Sequence, residues 1–288
     1  MTFRKSDGRL LVEERRRRIR ERVEKNERAT VDELVRQFGV SAVTIRGDLD
    51  ALSEAGILVR SHGGALRREL ATGDIPIPVK ETLRHPEKVR IAQAAVSLIK
   101  DGETVLLDSG TTTAEIARQI RFRRFDSLTV ITNALNVATE LSTVPSLRVI
   151  VVGGVLRHMS FSLSGPQAEL TLRGLHADRL FLGVDGMDPE IGLMTPDVLE
   201  AQLNACMIRI AREVIVVADS SKFERRSVSV IAAFDAVGRL ITDVGAPRAA
   251  LAALRARGVE VLTVSGPRRG PRRRRLEAHE LPPEAPGA

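Results

Sequence analysis

The stretch SAVTIRGDLDAL, residues 41–52, predicts a helix with one buried and one exposed side. Ser41 is a suitable N-cap residue for a helix that runs to about residue 55. At 100° per residue, Ile45, Leu49 and Leu52 fall within one narrow stripe. These three apolar side chains are therefore expected to face a core, and the other side of the helix to face solvent.

The exposed side of this helix carries side chains that suit contacts with DNA bases. It comprises Val43, Gly47 and Asp50, flanked by Thr44 and Arg46. A recognition helix presents its N-terminal side chains to base edges in the major groove. An arginine can pair with guanine O6 and N7, and a valine can touch a thymine methyl group. We therefore predict DNA contacts from Ser41, Val43, Thr44 and Arg46.

Two further helices are predicted before this one. The first covers Leu11–Lys25, with apolar residues on one side and a run of arginines on the other. Thr30 and Glu33 have the spacing of a capping box for a second helix over Val31–Phe38, which Gly39 ends. The tight turn over residues 39–41 joins the second helix to the third, so the pattern indicates a helix-turn-helix.

Two short stretches after the third helix predict a β-hairpin. Residues 57–60 and 65–68 flank a segment with two glycines, which is typical of hairpin turns. In a winged helix this hairpin is the wing, and its arginines would lie near DNA phosphates. We predict DNA contacts from Arg60, His62, Gly63 and Gly64. The alternative is a small helical bundle with a solvated charged surface.

The charge of the chain is unevenly distributed. The 288 residues include 44 Lys and Arg against 37 Asp and Glu, a formal net charge of +7. Residues 1–70 contribute +4 and residues 266–288 contribute +3, so residues 71–265 are neutral as a whole. This asymmetry is typical of a polyanion-binding end attached to a body with another role. The six arginines of the tail could add non-specific DNA affinity.

The composition argues against several protein classes. No apolar run approaches the roughly 20 residues that span a bilayer, and residues 1–18 are too charged for a signal peptide. Cys206 is the only cysteine and the five histidines are scattered, so neither disulfides nor a metal site is expected. Signatures of serine hydrolases, P-loop NTPases and zinc proteases do not occur. We expect a cytoplasmic protein with no cofactor and no catalytic residues.

Helical and apolar-strand patterns alternate from Pro86 onward, which predicts an α/β domain with a mostly parallel sheet. The predicted strands cover residues 104–107, 128–132, 147–152, 179–183, 214–218, 239–241 and 259–264. The predicted helices cover residues 87–99, 113–120, 134–141, 167–173, 197–212 and 248–257. The predicted domains are a winged helix-turn-helix over 1–69, a linker over 70–85, an α/β domain over 86–265, and a disordered Arg/Pro-rich tail over 266–288.

The strongest chemical feature of this α/β domain is the segment Asp108-Ser109-Gly110-Thr111-Thr112-Thr113. It connects a buried strand to a helix N-terminus through a small, hydroxyl-rich loop. Backbone N–H groups, the helix dipole and three threonine hydroxyls converge there, which suits a phosphate. The alternative is that Thr112 only caps the helix, with Glu115 completing a capping box.

Polar residues also follow other predicted strands. Asn133 ends one strand, Asp185 and Gly186 follow another, Lys222 follows a third, and Glu200 lies near a helix start. Singly, Asn133 and Asp185 suit turns, Glu200 suits a helix N-terminus, and Lys222 suits a solvated amine. Ligands of open α/β sheets bind beyond the carboxyl ends of the strands. The shared location therefore favours a ligand site made of these five residues and residues 108–113.

These segments together resemble the DeoR family of bacterial transcriptional regulators. The matching segments are SAVTIRGDLDAL (41–52), HGGA (62–65), DSGTTT (108–113), TN (132–133), GG (153–154), GVDG (183–186), TPD (195–197) and DSSKF (219–223). The resemblance covers about residues 10–264. The chain departs from the family at Gly47, where a second arginine is usual, and at Glu224, where glycine is frequent.

The resemblance implies a winged helix-turn-helix and a sensor domain similar in fold to ribose-5-phosphate isomerases. It implies a phosphorylated sugar or polyol effector, with residues 109–113 on the phosphate and Asp185, Glu200 and Lys222 near the sugar. The expected function is transcriptional regulation as a repressor of carbohydrate metabolism genes, not catalysis. The expected partners are double-stranded operator DNA and other copies of the chain in a dimer or tetramer. The alternatives are a sugar-phosphate isomerase with an accessory DNA-binding domain and a constitutive DNA-binding scaffold.

Overall fold

The computed structural model of the chain describes residues 12–26, 28–55, 57–61, 63–67 and 75–266. These residues form a winged helix-turn-helix and a larger α/β domain built on a seven-stranded parallel sheet, as the sequence predicts. His62, the first residues of the predicted linker and the predicted tail beyond Gly266 lie outside the described residues. Within the described part of the chain, no helix is long and apolar enough to cross a bilayer.

The N-terminal domain consists of three helices and a small antiparallel sheet. The elements are α1 (Val12–Asn26), β1 (Arg28–Thr30), α2 (Val31–Phe38), α3 (Ala42–Glu54), β2 (Leu58–Ser61) and β3 (Gly64–Arg67). Thr30 caps α2 by accepting the Glu33 N–H at 3.2 Å, and the Glu33 carboxylate accepts the Thr30 N–H at 2.9 Å. The predicted capping box is thus present. The sheet has the order β1-β3-β2, and β1 is a strand that the sequence did not predict.

The apolar stripe of α3 faces the core of this domain. Ile45, Leu49 and Leu52 are buried, and they belong to one cluster with Ile19 of α1 and Leu34 of α2. Burying a side chain of this size contributes about 1.5–3 kcal/mol to folding. The stripe therefore fixes which side of α3 faces outward.

A buried ion pair also attaches α3 to α1. The Asp48 carboxylate accepts hydrogen bonds from Arg15 Nε at 2.5 Å and from Arg16 Nε at 3.1 Å. Arg15 is 6% exposed and Asp48 is 3% exposed, so both charges have lost most of their water. Apolar periodicity alone did not reveal this contact, because it identifies the apolar residues of a stripe and not a charged residue beside them.

The strands of the α/β domain are β4 (Thr104–Leu107), β5 (Leu128–Thr132), β6 (Leu147–Val151), β7 (Val155–Arg157), β8 (Ser162–Ser164), β9 (Ala177–Leu182), β10 (Gly186–Asp188), β11 (Gly192–Thr195), β12 (Ala211–Val217), β13 (Ser229–Ala232), β14 (Arg239–Asp243) and β15 (Glu260–Val264). Seven of them form the main sheet in the order β15-β14-β12-β9-β4-β5-β6, and every neighbouring pair is parallel. These are the seven strands that the sequence predicts. Their apolar runs are typical of strands that are covered on both faces.

Helices cover both faces of this sheet. They are α4 (Ile77–Thr82), α5 (His85–Ser97), α6 (Thr111–Phe122), α7 (Leu135–Leu141), α8 (Pro166–Leu172), α9 (Val198–Ile210) and α10 (Arg248–Ala256). On one face, residues of α5, α6 and α7 pack with Val105 and Leu107 of β4. On the other face, residues of α8, α9 and α10 pack in a cluster that includes Leu106. The domain therefore has three layers, because successive side chains of β4 point to opposite faces.

The order of the strands creates a crevice at one edge of the layers. From β4 the chain proceeds outward through β5 and β6, whereas β9, β12, β14 and β15 lie on the other side of β4. The loops that follow the carboxyl ends of β4 and β9 thus lead in opposite directions along the sheet. In open α/β sheets, ligands bind at this kind of topological switch point.

Two small antiparallel units lie outside the main sheet. One is the three-stranded sheet β10-β11-β13, and the other is the β7–β8 hairpin. The sequence predicted none of these five strands, because each has only three or four residues and no sustained apolar alternation.

The second half of the predicted linker is not a free connection. Ile75 and Ile77 are buried, and the Ile77 N–H donates to the carbonyl oxygen of Met159 at 2.8 Å. Residues 77–82 form α4, which begins after Pro76 with Pro78 in its first turn. Those prolines indicated a linker, but a proline is also well tolerated in the first turn of a helix. Residues 75–84 are therefore an integral part of the α/β domain.

Candidate functional site

The outward side of α3 is accessible, as a recognition helix requires. Val43 is 76% exposed, and Arg46 and Gly47 are also exposed. Ser41 caps the helix by accepting the Thr44 N–H at 3.2 Å, and the two hydroxyls lie 2.9 Å apart. Val43 and Arg46 therefore remain the side chains best placed for base contacts, while Ser41 and Thr44 hold the helix start.

Arg60 connects the wing to the recognition helix. Its Nε donates to Asp50 Oδ1 at 2.8 Å, and its Nη1 donates to the carbonyl oxygen of Gly64 at 2.8 Å. The sequence predicts that Arg60 lies near DNA phosphates, and the structure gives this side chain a second role in orienting the wing relative to α3. A side chain held in this way loses less conformational freedom if it also contacts a phosphate.

The two predicted wing glycines differ in their surroundings. Gly63 is exposed at the tip of the hairpin. Gly64 is buried, and a Cβ at this position would lie 2.1 Å from the carbonyl oxygen of Ala29. Gly64 therefore permits the close pairing of β3 with β1, which is a reason for glycine that does not involve DNA.

A pocket occupies the crevice between the ends of β4 and β9, and it brings together most of the predicted effector residues. It is open to solvent. The predicted residues that line it are Asp108, Ser109, Gly110, Thr111, Thr112, Asp185, Glu200 and Lys222. Polar residues that the sequence analysis did not assign to the site also line it, namely Lys80, Ser160, Thr195 and Asn204. A concave site on which several polar side chains converge is a candidate ligand site.

The first turn of α6 points into this pocket without a capping side chain. The N-cap residue is Gly110, and no side chain accepts a hydrogen bond from the N–H groups of that turn. Glu115 does not complete a capping box, because its carboxylate accepts from Arg118 at 3.1 Å and from Gln119 at 2.9 Å. The alternative in which Thr112 only caps the helix is therefore wrong. A helix N-terminus without a side-chain cap is a suitable anion site.

Thr113 shapes the loop instead of lining the pocket. Its hydroxyl donates to the backbone carbonyl oxygens of Asp108 at 3.0 Å and Gly110 at 2.7 Å, and the residue is fully buried. Since the hydroxyl hydrogen is directed at these carbonyl groups, it is not available to a ligand. The hydroxyl-bearing residues of the loop that face the pocket are Ser109, Thr111 and Thr112.

Asp108 is a buried carboxyl group beside this loop. Burial raises its pKa to about 7, although the Thr113 hydroxyl and the backbone N–H groups of Gly110 and Gly183 act in the opposite direction. At neutral pH a substantial fraction of Asp108 is therefore uncharged. A neutral carboxyl group does not repel a phosphate, so this environment is compatible with an anion in the loop.

Asp185 lies between two ammonium groups. Its Oδ1 is 2.7 Å from Lys80 Nζ and 3.7 Å from Lys222 Nζ. Burial alone would raise the pKa of Asp185, but Lys222 and Lys80 together lower it to about 2. Burial in turn lowers the pKa of Lys222, and Asp185 and Asp219 oppose that shift. The pocket thus contains a fixed carboxylate that can accept hydrogen bonds from a ligand hydroxyl.

Glu200 is a second carboxyl group in the pocket, and the β7–β8 hairpin positions it. The hydroxyls of Ser160 and Ser162 both donate to Glu200 Oε1, the latter at 2.6 Å. Arg157 Nη1 lies 3.6 Å from the same oxygen. Asp197 caps α9 by accepting the Glu200 N–H at 2.9 Å. The hairpin residues could not be linked to Glu200 from the sequence, because they are about forty positions away.

Asn133 and Gly186 do not line the pocket. Asn133 is buried, and its Nδ2 donates to the carbonyl oxygen of Leu163 at 3.2 Å, which attaches β5 to the hairpin. A Cβ on Gly186 would lie 2.0 Å from the carbonyl oxygen of Arg225, so this glycine serves close backbone packing. Both positions follow strands, as predicted, but the structure gives them packing roles.

A winged helix-turn-helix joined to an α/β domain with an open pocket is an arrangement typical of DNA-binding transcriptional regulators. Residues 15–69 match the DeoR-like helix-turn-helix domain, and residues 83–244 match the DeoR C terminal sensor domain. The chain belongs to the DeoR family. This confirms the resemblance seen in the sequence, and operator DNA is accordingly the partner of the N-terminal domain.

Known proteins similar to this chain include regulators from bacteria. A protein of Escherichia coli O157:H7, named as an aga operon transcriptional repressor, is 43% identical over 87% of this chain and 93% of its own length. The glycerol-3-phosphate regulon repressor of Escherichia coli K12 is 33% identical over 76% of this chain and 85% of its own. Ribose 5-phosphate isomerase A of Methanocaldococcus jannaschii aligns with a TM-score of 0.35 and 18% identity over 48% of this chain and 54% of its own. The fold assignment rests on the strand order and not on that alignment.

Proposed function

We propose that this chain is a repressor of carbohydrate metabolism genes, and that a phosphorylated sugar or polyol in the α/β pocket controls its binding to operator DNA. The observation that carries the proposal is the composition of the pocket. An uncapped helix N-terminus with three hydroxyl-bearing residues lies at one side, and Asp185, Glu200 and Lys222 lie at the other. Backbone N–H groups suit a phosphate, and fixed carboxylates suit the hydroxyl groups of a sugar.

The named relatives support the same class of ligand. The glycerol-3-phosphate regulon repressor, which covers most of this chain, carries a phosphorylated polyol in its name.

One recognition helix reads only a few base pairs, so we also propose that the chain binds repeated half-sites as a dimer or tetramer. An effector can then weaken operator binding only if it binds more tightly to the state of the oligomer that does not hold DNA than to the state that does.

Thr112→Val tests the phosphate site. At least one of ribose 5-phosphate, fructose 6-phosphate and glycerol 3-phosphate should raise the melting temperature of the wild-type chain. The unphosphorylated counterpart of that compound should leave the melting temperature unchanged. A ligand at 100 times its Kd stabilises the folded state by about 2.7 kcal/mol. Removal of one hydroxyl that contacts the phosphate should weaken binding by about tenfold, which is ~1.4 kcal/mol.

The control for this variant is Thr171→Val, which changes an exposed threonine in α8. It should leave the ligand-induced shift unchanged. Calorimetry is the appropriate measurement, because the chain has no Trp or Tyr for fluorescence. If no phosphorylated compound stabilises the wild-type chain, a constitutive DNA-binding role replaces the proposed one.

Arg46→Ala tests the recognition helix. The variant should lose about 1–3 kcal/mol of specific DNA affinity, because a bidentate arginine–guanine contact is worth about that much. The measurement is a titration, at fixed salt concentration, of a duplex that the wild-type chain selects from a random-sequence pool. Arg255→Ala removes the same charge from an exposed position on α10 and should have no effect. Equal affinities of Arg46→Ala and wild type would exclude α3 as the base-reading element.

A further inference from the structure

Strand β6 forms one edge of the main sheet, and its outer side is uncovered. Val152, directly after β6, donates its N–H to the Thr132 carbonyl oxygen of β5 at 2.8 Å. Backbone groups alternate between the two sides of a strand, so the even-numbered residues of β6 bond toward β5. The N–H and C=O groups of Val149 and Val151 therefore point away from the sheet. In the described part of the chain, no other segment pairs with these groups.

Strand β6 has few of the features that protect a sheet edge from pairing. Such edges are usually short, interrupted by a bulge or proline, or rich in charged side chains. The sequence of β6, LRVIV over Leu147–Val151, contains one charge and no proline, and its register with β5 is regular. Val151 is 43% exposed although it is apolar. The edge is therefore suited to pairing with a further strand.

Apolar surface continues beyond the end of β6. Val155 and Leu156 of β7 follow Val151 after a short glycine-containing turn, and both are exposed, Val155 at 64%. Exposed apolar side chains that lie beside one another mark interaction surfaces. A stable dimer buries about 1,200–2,000 Å², which is more than one pair of five-residue strands supplies. The open edge and these two β7 side chains together offer the larger area that such a contact needs.

The free backbone groups of β6 are self-complementary. A two-fold axis through the sheet brings two copies of one edge strand together antiparallel. If Val149 lies opposite Val151 of the partner subunit, every outward N–H of these two residues meets an outward carbonyl oxygen. Ile150 then lies opposite its own copy. The Leu147 N–H is not needed, because it already donates to the Val144 carbonyl oxygen at 3.1 Å.

Charge favours this edge of the sheet over the opposite one. Strand β15 is also an edge, but residues 267–288 follow within a few positions of its end and carry six arginines against three glutamates. Pairing of two copies of β15 would bring two such basic segments to one interface, where they repel each other. In the register described for β6, the two copies of Arg148 are four positions apart, or about 13 Å. The β6 contact therefore joins two nearly neutral, apolar edges.

We propose that two copies of this chain associate through β6, which pairs antiparallel with β6 of the partner subunit across a two-fold axis at Ile150. This inference rests on the proposed function, because binding of repeated half-sites as a dimer or tetramer requires a symmetric contact between copies. The two main sheets become one continuous sheet. Val149 and Val151 form cross-strand pairs, and Val155 and Leu156 enlarge the apolar contact.

A disulfide cross-link tests the register in the full-length chain. Residues directly opposite each other in a non-hydrogen-bonded antiparallel pair have Cα atoms about 4.5 Å apart, which a disulfide can bridge. Ile150→Cys should therefore form a covalent dimer after mild oxidation, seen by electrophoresis without reductant. Arg148→Cys is the matched control and should stay monomeric on the gel, because its two copies are about 13 Å apart. The native Cys206 is buried and is present in both variants.

A charge exchange tests the contact in solution. Val151→Lys places two like charges at diagonal positions about 7–8 Å apart and should raise the dissociation constant of the dimer at least about tenfold. Val151→Glu should weaken association in the same way, and an equimolar mixture of the two variants should restore it. Thr263→Lys places the same charge at an exposed position on β15 and should leave association unchanged. Sedimentation equilibrium measures the dissociation constants, and circular dichroism verifies that each variant is folded.

The outcomes separate this inference from the proposed function. If the wild-type chain is monomeric at every concentration tested, the proposed dimer or tetramer fails, and the role of β6 fails with it. If the wild-type chain associates but Ile150→Cys does not cross-link, or Val151→Lys associates as tightly as wild type, the role of β6 is refuted and the proposed function stands.

Discussion

Asp48→Ala should destabilise the winged helix-turn-helix by about 3–5 kcal/mol and abolish specific DNA binding at 37 °C. Asp48 is buried between α3 and α1 and accepts hydrogen bonds from Arg15 and Arg16. Arg15 is 6% exposed in the folded chain, so the variant breaks a buried ion pair. Breaking a buried ion pair by removing one of its groups costs several kcal/mol, which is a large part of the stability of a small domain.

Thermal unfolding followed by circular dichroism measures this effect, and the control is Asp50→Ala on the same helix. Asp50 is exposed and pairs with Arg60, so its removal should cost less than about 1 kcal/mol. A double variant, Arg15→Met with Asp48→Leu, removes both charges and should recover most of the lost stability. Equal stabilities of Asp48→Ala and Asp50→Ala would contradict the importance of the buried pair.

Asp108→Asn should change the unfolding free energy of the α/β domain by an amount that depends on pH. This change should be more stabilising at pH 8 than at pH 4, by up to about 4 kcal/mol. Burial raises the pKa of Asp108 to about 7 in the folded chain, whereas the ordinary value is 3.8. Between pH 4 and pH 7, the folded state therefore retains a proton that the unfolded state has released. The wild-type chain consequently loses stability as the pH rises through this window, and the loss is complete above pH 7. An asparagine does not titrate, so its contribution to the unfolding free energy does not change with pH.

Urea unfolding at several pH values between 4 and 8 gives the difference in unfolding free energy between wild type and variant. The difference should increase with pH up to about 7 and then level off. Asp126→Asn replaces an exposed aspartate and should give a difference that does not vary with pH in this way. A flat profile for Asp108→Asn would show that the carboxyl group is ionised in the folded state across this range.

The family, the fold class and much of the site could be predicted from short local patterns. The stripe of Ile45, Leu49 and Leu52 predicted the buried face of α3, because apolar spacing follows directly from the helical period. Apolar runs likewise predicted the seven strands of the main sheet. The segment 108–113 predicted a polar loop before a helix, although Thr113 turned out to bond the loop itself. The domain boundaries remain predictions, apart from residues 75–84, which pack as part of the α/β domain.

The sequence missed what depends on contacts between distant positions. It gave no sign that Ser160 and Ser162 would hold Glu200, or that Lys80 would reach Asp185. Helix α4 was interpreted as a linker because a single six-residue helix with a proline has almost no periodicity. Asn133 and Gly186 were assigned to the site because they follow strands, but their side-chain surroundings depend on the hairpin and on the segment around Arg225.

The sequence by itself thus determined the two kinds of domain, the outward side of α3 and the polar loop at the start of α6. These properties follow from the period of an element and from the residues at its ends, which are local quantities. Only the tertiary structure decided which polar residues share the pocket and that α4 contributes Lys80 to it. The order of the strands brings the ends of β4 and β9 together, and packing sets α4 against them; neither follows from spacing along the chain.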